Sequence, residues 1–433
     1  MMRWIGAILT GLVASLLLFP FNLPISGIAV NTKMILAVVG AGLFVLDRIK
    51  GKGLVVSRDF LVLCIICALI SLWAFFVITV SASSDYAFVK YLVSVLVWLA
   101  AAYTVVWLVK AVHGKATVVL LGNYMTAVCL AQCIVAYAMT IWPGFGSFID
   151  GLMGEGEAFM SATEGRIHGL GAALDPSGLR FSAVLVILAV FMVKTDYGTQ
   201  TWKGLFYVVS FLVITIIGNM ISRSTTIGAL IAIVLLLVLL WPRGGIVHLN
   251  RYWLIISGGV ILILALTVWL YHTVPAFRYN VRFGFEGFFS LVEKGRWETR
   301  STSILESMVV WPETVRTWII GDGFFDNPKD VPDQFGQLYG GFYMKTDIGY
   351  LRYIFYFGTI GLLGMVAAVV AMTRTCIRHF KEYRLMFLSM LLVTFIGWFK
   401  VSSDVIMFFA PFLILAYMES EEDNGEPCTS SIT

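Results

Sequence analysis

Long apolar stretches alternate with short polar ones along nearly the whole chain. A run of about 18 or more apolar residues is long enough to cross the hydrocarbon core of a bilayer as an α-helix. Twelve segments approach or exceed that length: 3–20, 28–47, 60–82, 87–109, 117–141, 179–194, 204–221, 226–241, 253–271, 348–372, 385–399 and 405–418. The pattern predicts an all-α polytopic membrane protein with about 12 transmembrane helices.

Two of the polar stretches are too long to be simple turns. Residues 142–178 make a medium loop and residues 272–347 make a long one. Long loops without structure are uncommon in compact domains, and this one is rich in Phe, Tyr and Trp. We therefore expect it to be partly helical and to fold against a single transmembrane domain, residues 1–418, which a short acidic tail, 419–433, follows.

Composition agrees with a membrane protein and narrows the chemistry. The chain is 59% hydrophobic and only 13% charged, whereas a water-soluble domain needs far more surface charge. Cys64 and Cys67 lie in one apolar segment and Cys129 and Cys133 in another, without His or Asp at ligand spacing, so they are expected to pack. No phosphate-binding Gly loop is evident, and a net charge of +4 does not indicate nucleic acid. We expect no metal and no cofactor.

The Lys and Arg residues of alternate short loops predict an orientation. By the positive-inside rule, loops rich in these residues face the cytoplasm. With twelve spans, one set of loops shares a side with both termini: it carries Arg48, Lys50, Lys52, Arg58, Lys110, Lys115, Lys194, Lys203, Arg243, Arg251, Arg374, Arg378, Lys381 and Arg384. The loops 142–178 and 272–347 then lie on the outer side.

Basic residues on the outer side are the informative exceptions to this rule. Arg166, Arg180, Arg223 and Arg352 lie near helix ends, whereas Arg300 and Lys345 lie in the long loop, whose length exempts it from the rule. Placing Arg at membrane depth costs about 2.5–3.5 kcal/mol on insertion scales, so each residue needs a partner. Carboxylates near these ends are scarce, with Asp347 and Asp404 the nearest. We expect the excess charge to bind a lipid phosphate or diphosphate; snorkelling to headgroups is the alternative.

Two stretches with these residues resemble the O-antigen ligase and polymerase superfamily. ISRSTTIGAL, which begins at Ile221, resembles the Ser-Arg turn that joins two spans on the periplasmic side in that family. GRWETRSTSILESMVVWPETVRTWIIGDGFF, residues 295–325, resembles its Arg, short amphipathic helix and Gly-x-Gly turn, with Arg300, Gly321 and Gly323 at the matching positions.

A third stretch, TDIGYLRYIFYFGTIGLLG, resembles the ligase pattern His-Asn-x-Tyr-Leu followed by spaced glycines. Tyr350 and Leu351 precede six residues, then Gly358 and Gly361. Asp347 stands where the ligases have His, and this departure favours the Wzy-type polysaccharide polymerases. EGRIHGLGAALDPSGLRFSAVL also resembles a polymerase loop that leads into a span. The likeness covers about 165–365.

The resemblance implies a GT-C-like bundle in the bacterial inner membrane and a metal-independent, inverting glycosyltransferase. Such an enzyme moves a glycan from undecaprenyl diphosphate to a sugar hydroxyl at the periplasmic face. Polymerases extend the chain on fresh repeat units, and ligases transfer it to the lipid A core. Expected partners are the lipid-linked glycan, membrane lipids and a chain-length regulator.

This chemistry assigns roles to the outer residues. The leaving diphosphate needs cations, and Arg166, Arg180, Arg223 and Arg300 are expected to supply them, with Arg352 and Lys345 as further substrate contacts. The attacking hydroxyl needs a base. Asp347 is the first choice, although its place before an apolar run also suits a helix cap. His168 and His272 are rival bases.

Two other readings stay open. A ligase of the same superfamily is one. A lipid-linked oligosaccharide flippase is the other, because twelve spans with both ends inside is a common transporter layout. Transporters usually show related halves and interrupted midplane helices, and neither is evident in the sequence. Asp175, before Pro176, is expected to form a turn.

Overall fold

Helices account for most of the chain in the computed structural model, which describes residues 2–25, 28–52, 57–153, 167–195, 199–241, 251–329, 339–403 and 405–425. The first half comprises α1 Met2–Leu18, β1 Asn22–Ile25, β2 Ile28–Asn31, α2 Thr32–Asp47, a π-helical turn Arg48–Lys52, α3 Arg58–Val80, α4 Tyr91–His113, α5 Val118–Ile141, α6 Pro143–Leu152 and α7 Leu174–Lys194.

The second half continues the bundle and contains the long connection. It comprises α8 Thr201–Ile221, α9 Thr225–Leu240, α10 Arg251–Thr273, α11 Pro275–Gly284, α12 Glu286–Lys294, α13 Arg300–Ser307, α14 Val315–Ile319, β3 Asp326–Pro328, β4 Tyr339–Phe342, α15 Gly349–His379, α16 Arg384–Gly397 and α17 Ile406–Gly425. The strands form two antiparallel hairpins, β1 with β2 and β3 with β4.

Each of the twelve predicted apolar segments coincides with one of these helices. Among the described residues, six helices are long and apolar enough to cross a membrane: α3, α4, α5, α7, α8 and α15. The pair α10 and α11, bent by 115°, raises the number to as many as seven. The chain is thus an all-α protein whose long apolar helices indicate membrane insertion.

One predicted helix begins later than expected. Residues 28–31 were included in the second apolar segment, but they form β2, in which Asn31 pairs with Asn22. The Asn31 side chain accepts a hydrogen bond from the Lys33 amide and so caps α2. An N-cap residue is extended rather than helical, which explains why the helix begins at Thr32.

Among the six candidate spanning helices, α7 is the most buried, and it packs against α8, α9, α16 and α5. Its apolar window is 83% buried, so it is surrounded by protein rather than lipid. Small residues allow the close approach of its neighbours. A Cβ at Gly228 of α9 would lie 2.1 Å from the Ser182 Cα of α7. The beginning of α7 is therefore held firmly at one end of the bundle.

The long connection is partly helical, as predicted, and it packs on the bundle. The buried Asp85 carboxylate, between α3 and α4, accepts hydrogen bonds from the Phe325 and Asp326 amides at 2.8 and 3.4 Å. Phe325 also packs edge-on against Phe88, with ring centroids 5.1 Å apart. These contacts fix the beginning of the β3–β4 hairpin. The end of the bundle where this hairpin and the α8–α9 turn lie is called the loop end below.

Helix α15 is interrupted, which the sequence did not suggest. Phe357 and Gly358 leave helical geometry, and Gly358 has φ of 67°. Such a break frees backbone carbonyls that must find other donors inside a membrane protein. The amides of Asp322 and Gly323 donate to the carbonyls of Phe355 and Tyr356, at 2.6 and 3.0 Å.

A third donor binds a backbone carbonyl at the break, and two glycines leave room for the close packing around it. Trp73 of α3 donates its indole N–H to the Phe357 carbonyl at 2.8 Å. A Cβ at Gly358 would lie 2.0 Å from the Ile319 oxygen, and one at Gly321 would lie 2.6 Å from the Tyr356 oxygen. The Gly-x-Gly turn and the interrupted helix, separate in the sequence, therefore form one packed unit. The expectation of uninterrupted helices was wrong, because the apolar run 348–372 has no polar signal at the break.

Replacing Gly358 should test this unit. We expect Gly358→Ala to destabilise the protein by about 1–3 kcal/mol or more, because the new Cβ clashes and the left-handed backbone is strained. Thermal unfolding of the detergent-purified protein measures the effect. Gly42→Ala is the control, since its Cβ would meet nothing within 4 Å. Equal melting temperatures for the two variants would contradict the proposed packing.

Candidate functional site

Polar side chains from five separate segments converge at the loop end. With strand β3 as a fifth segment, they come from the first turn of α7, the α8–α9 turn, the beginning of α15 and the α16–α17 connection. We call this group the polar cluster; it consists of Asp175, Ser222, Ser224, Asp326, Asp347, Arg352, Lys400 and Ser402. Its members are joined by hydrogen bonds and ion pairs that link the segments across the bundle.

One carboxylate oxygen of Asp175 organises the first half of the cluster. It lies 2.6 Å from the Lys400 ammonium group and also accepts hydrogen bonds from the hydroxyls of Ser222 and Ser224, at 2.9 and 2.6 Å. Lys400 lies 3.1 Å from the Ser224 hydroxyl as well. The turn expected at Asp175 was wrong, because the residue lies in the first turn of α7, where its carboxylate holds both serines of the Ser-Arg turn in place.

Arg352 organises the second half. Its side chain is only 6% exposed and pairs with Asp326 at 2.7 Å and with Asp347 at 3.4 Å. It also donates to the Ser402 hydroxyl and stacks on the Phe325 ring, with its guanidinium carbon 3.5 Å from the centroid. Arg352 therefore connects the beginning of α15 to the long connection and fixes the side chain of Asp347.

Asp347 combines a raised pKa with partial exposure to solvent. Burial raises its pKa to about 6, the charge of Asp175 adds to the rise, and Arg352 and Lys400 oppose it. Its side chain is 22% exposed. A carboxylate with such a pKa can accept a proton near neutral pH, as a general base must.

The alternative role of Asp347 as a helix cap does not fit the geometry. Ile348 occupies the N-cap position of α15 and makes no side-chain cap. The Thr346 hydroxyl accepts from the Ile348 amide at 3.3 Å. The Asp347 carboxylate contacts Arg352 instead.

The Arg223 side chain and the Arg300 backbone amide bind the same carboxylate, that of Glu286. Arg223 pairs with Glu286 at 2.7 Å, donates to the Phe283 carbonyl at 2.9 Å and to the Ser301 hydroxyl. The other Glu286 oxygen accepts from the Arg300 amide at 3.4 Å. The Arg300 side chain itself is exposed. The Ser-Arg turn thus joins this pair to the polar cluster, since Ser222 and Ser224 flank Arg223.

The other predicted site residues lie elsewhere. Arg180 is buried, donates to the Met407 sulfur at 3.0 Å and faces the Phe19 ring. His168 lies 3.0 Å from Asp150 and lines a cavity of about 430 Å³ with Tyr279. Lys345 is exposed, with φ of 58°, and His272 is exposed too. Arg166 and Asp404 lie outside the described residues.

The expectation that carboxylates are too few to pair the outer cations was wrong. Within the described part of the chain, Arg223, Arg352 and Lys400 each have a carboxylate partner. Glu286 and Asp326 come from the 272–347 connection, so their closeness to the helix ends is a long-range feature that local sequence does not show. Lys400 carried one usable signal, a basic residue on the side where short loops disfavour it.

Comparison of the chain with models of known families, with curated proteins and with solved structures gave no match. The likeness to the O-antigen superfamily therefore rests on the four sequence stretches. Three of them contribute residues to the loop end: Asp175, Arg223 and Asp347. The remaining stretch, residues 295–325, supplies Arg300 and the Gly-x-Gly turn.

The Asp175–Lys400 pair should be important for stability. Both side chains are mostly buried, at 30% and 24% exposed, so Lys400→Met leaves a carboxylate without its cation. We expect the free energy of unfolding to fall by about 2 kcal/mol, a value between those typical of surface and of buried ion pairs. The double variant with Asp175→Asn should recover part of this loss.

Lys194→Met is the matched control for this measurement, because the Lys194–Glu382 pair is more exposed, at 32% and 66%. It should change the melting temperature little. A Lys400→Met protein that melts like Lys194→Met would show that the pair contributes no net stability.

Proposed function

We propose that the protein polymerises oligosaccharide repeat units carried on undecaprenyl diphosphate, at the periplasmic face of the bacterial inner membrane. One observation carries the proposal: Asp347, with a pKa of about 6, lies at the loop end beside Arg352 and within the field of Lys400. A proton acceptor surrounded by fixed cations suits transfer of a sugar from a diphosphate.

The reaction follows from these groups. Asp347 takes the proton of the acceptor hydroxyl. The hydroxyl oxygen forms a bond to the anomeric carbon from the face opposite the leaving group, so the configuration inverts. The bond from that carbon to the diphosphate oxygen breaks, and the diphosphate leaves with the electron pair. Arg300 and Lys345, both exposed, are available to receive the negative charge that develops.

The buried cations have a different role in this proposal. Arg223 is oriented by Glu286 and by the Phe283 carbonyl, and Arg352 is oriented by two carboxylates. Because both guanidinium groups already have carboxylate partners, we assign them the positioning of Asp347 and of the long connection rather than contact with the diphosphate. We place Arg180 and His168 outside the reacting centre, because they contact Met407 and Asp150.

The proposed topology has about 12 crossings and cytoplasmic termini. Residues of the predicted cytoplasmic loops meet at the end opposite the polar cluster, where Arg378 pairs with Asp59 at 2.6 Å and Lys194 pairs with Glu382 at 2.8 Å. The polar cluster would then face the periplasm, where lipid-linked repeat units are joined.

A flippase is the second candidate, favoured by the interrupted α15 and by the bent α10–α11 pair. Interrupted helices often form substrate sites in transporters. In α15, however, the break is occupied by Asp322 and Gly323, whose amides bond its free carbonyls. A substrate would have to displace them, so the break supports transport less than the cluster supports transfer.

The lipopolysaccharide of a deletion strain separates the candidates. A polymerase predicts core with a single repeat unit. A ligase, the alternative within the superfamily, predicts bare core and polymer accumulated on the lipid carrier. A flippase predicts bare core with single units left on the cytoplasmic leaflet. Either of the last two outcomes would overturn the proposal.

Asp347→Asn should abolish the polymer ladder, because the amide cannot accept the proton. General base catalysis typically contributes about 10²–10⁴-fold, so we expect a loss in that range. With purified protein and lipid-linked substrate, the wild-type rate should rise with pH through about 6, as Asp347 loses its proton. Glu293→Gln, in an exposed pair with Arg282, is the control. A wild-type ladder from Asp347→Asn would remove the residue from the reaction.

Arg300→Ala and Arg223→Ala should differ. Arg300 is exposed, so its loss should lower the rate and leave the melting temperature unchanged. Arg223 connects Glu286, Phe283 and Ser301, so its loss should lower both the rate and the melting temperature. The free energy of unfolding should fall by about 1–3 kcal/mol. Arg296→Ala is the control, since its side chain is 74% exposed. If Arg300→Ala restores the full ladder, Arg300 does not contact the diphosphate.

A further inference from the structure

A polar cavity of about 430 Å³ lies at the loop end, between the end of α5, α6 and α11. This volume falls within the range of about 300–1,000 Å³ that is typical of ligand pockets. The cavity belongs to the loop end because α11 packs on the last turn of α8, where a Cβ at Gly284 would lie 2.8 Å from the Asn219 carbonyl oxygen. Its polar lining residues are Thr140, Ser147, Asp150, His168, Tyr279 and Asn280.

Two short helices turn one face each to this cavity. On both helices the lining residues recur at intervals of three or four, which places them on a single helix face. They are Gly146, Ser147 and Asp150 of α6, and Ala276, Tyr279 and Asn280 of α11. The large apolar residues Phe145, Phe148 and Leu152 of α6 are exposed on a different face. Helical periodicity thus collects the polar residues of both helices around one space.

The cavity offers hydrogen-bonding groups that the protein itself does not use. One Asp150 oxygen lies 3.0 Å from the His168 ring nitrogen. Within the described residues, the second Asp150 oxygen and the Tyr279 hydroxyl have no hydrogen-bond partner. Asn280 donates its side-chain amide to the Ala276 carbonyl at 2.9 Å and keeps its side-chain oxygen as an acceptor. A ligand rich in hydroxyl groups matches this set, because each hydroxyl both donates and accepts.

The charge of the lining opposes a phosphate group as the ligand. The described lining contains the Asp150 carboxylate and no Lys or Arg. The two arginines of α11 have partners elsewhere: Arg278 donates to the Tyr271 carbonyl at 2.9 Å, and Arg282 pairs with Glu293 at 2.6 Å. A diphosphate would therefore be repelled by Asp150, and a hydrocarbon chain would leave that carboxylate without hydrogen bonds. The chemistry favours an uncharged, polyhydroxylated ligand.

We propose that this cavity is a sugar subsite, which binds one unit of the glycan outside the reacting centre through Asp150, Asn280 and the Tyr279 ring. That ring is 65% exposed and is available to stack on the apolar face of a pyranose. Tyr279 lies four residues before Phe283, whose carbonyl binds Arg223, and four helical residues span about 6 Å. The sugar subsite thus adjoins Arg223. The identity of its ligand rests on the proposed function, whereas the polarity of the cavity does not.

Equilibrium binding of an oligosaccharide to the full-length, detergent-purified protein tests the sugar subsite. The probe is a two-repeat fragment, released by mild acid from the surface polysaccharide of the strain that produces the protein, with no lipid or diphosphate attached. Asp150→Asn should weaken binding about tenfold, because a hydrogen bond to a charged group is lost. Tyr279→Ala should weaken it about fivefold and leave the melting temperature unchanged. Tyr86→Ala is the matched control, since Tyr86 is 49% exposed and lies outside the lining.

Unchanged affinity in both variants, or no binding of the fragment by the wild-type protein, would overturn the sugar subsite. If Asp150→Asn does not purify as a single species, Tyr279→Ala decides alone, because its ring is exposed. The lipopolysaccharide of the deletion strain tests the proposed function separately. A polymerase phenotype with unchanged affinities would reject the sugar subsite alone, whereas a ligase or flippase phenotype with the expected losses of affinity would reject the polymerase and keep the subsite.

Discussion

The carbonyl oxygens freed where α15 is interrupted are the constraint on which the loop end depends. Backbone oxygens without donors are too costly to leave at membrane depth. Three donors from outside the helix satisfy them, two from the Gly-x-Gly turn and one from Trp73. Because those donors must lie within hydrogen-bond distance of the oxygens, the oxygens determine the position of the Gly-x-Gly turn. The chain that follows the turn runs towards Asp85.

The ion pairs of the polar cluster depend on this position of the Gly-x-Gly turn. The β3 strand begins at Asp326, three residues after Gly323 of the Gly-x-Gly turn, and Asp326 pairs with Arg352, which stands five residues before the break at Phe357. Arg352 in turn fixes Asp347. Lys400 and Asp175 then add the α7, α8 and α9 helices through two serines. The polar cluster is therefore a consequence of backbone hydrogen bonding as much as of ion pairing.

The sequence predicted those features that depend on local composition. The twelve helices follow from apolar runs, and Arg223 stood out as a basic residue in a short loop on the side predicted to be outer. Asp347 and Arg300 were proposed from the resemblance. The sequence did not predict the partners of those charges. Glu286 lies 63 positions after Arg223 in the sequence. No local pattern shows which acidic residues of the folded connection will contact these cations. The α15 break was missed for a related reason, because its donors belong to another segment.

Pairing of the cations also changes what each can do. A guanidinium that already has carboxylate partners and is 6% exposed, such as that of Arg352, would lose these bonds if it turned to a diphosphate. By holding Asp347 and keeping that carboxylate partly ionised, Arg352 retains the bonds that it would otherwise lose. Arg300 and Lys345 are exposed, and contact with an incoming anion would cost them mainly side-chain freedom. In the proposed reaction, this difference assigns the positioning of the base to the buried cations and contact with the leaving group to the exposed ones.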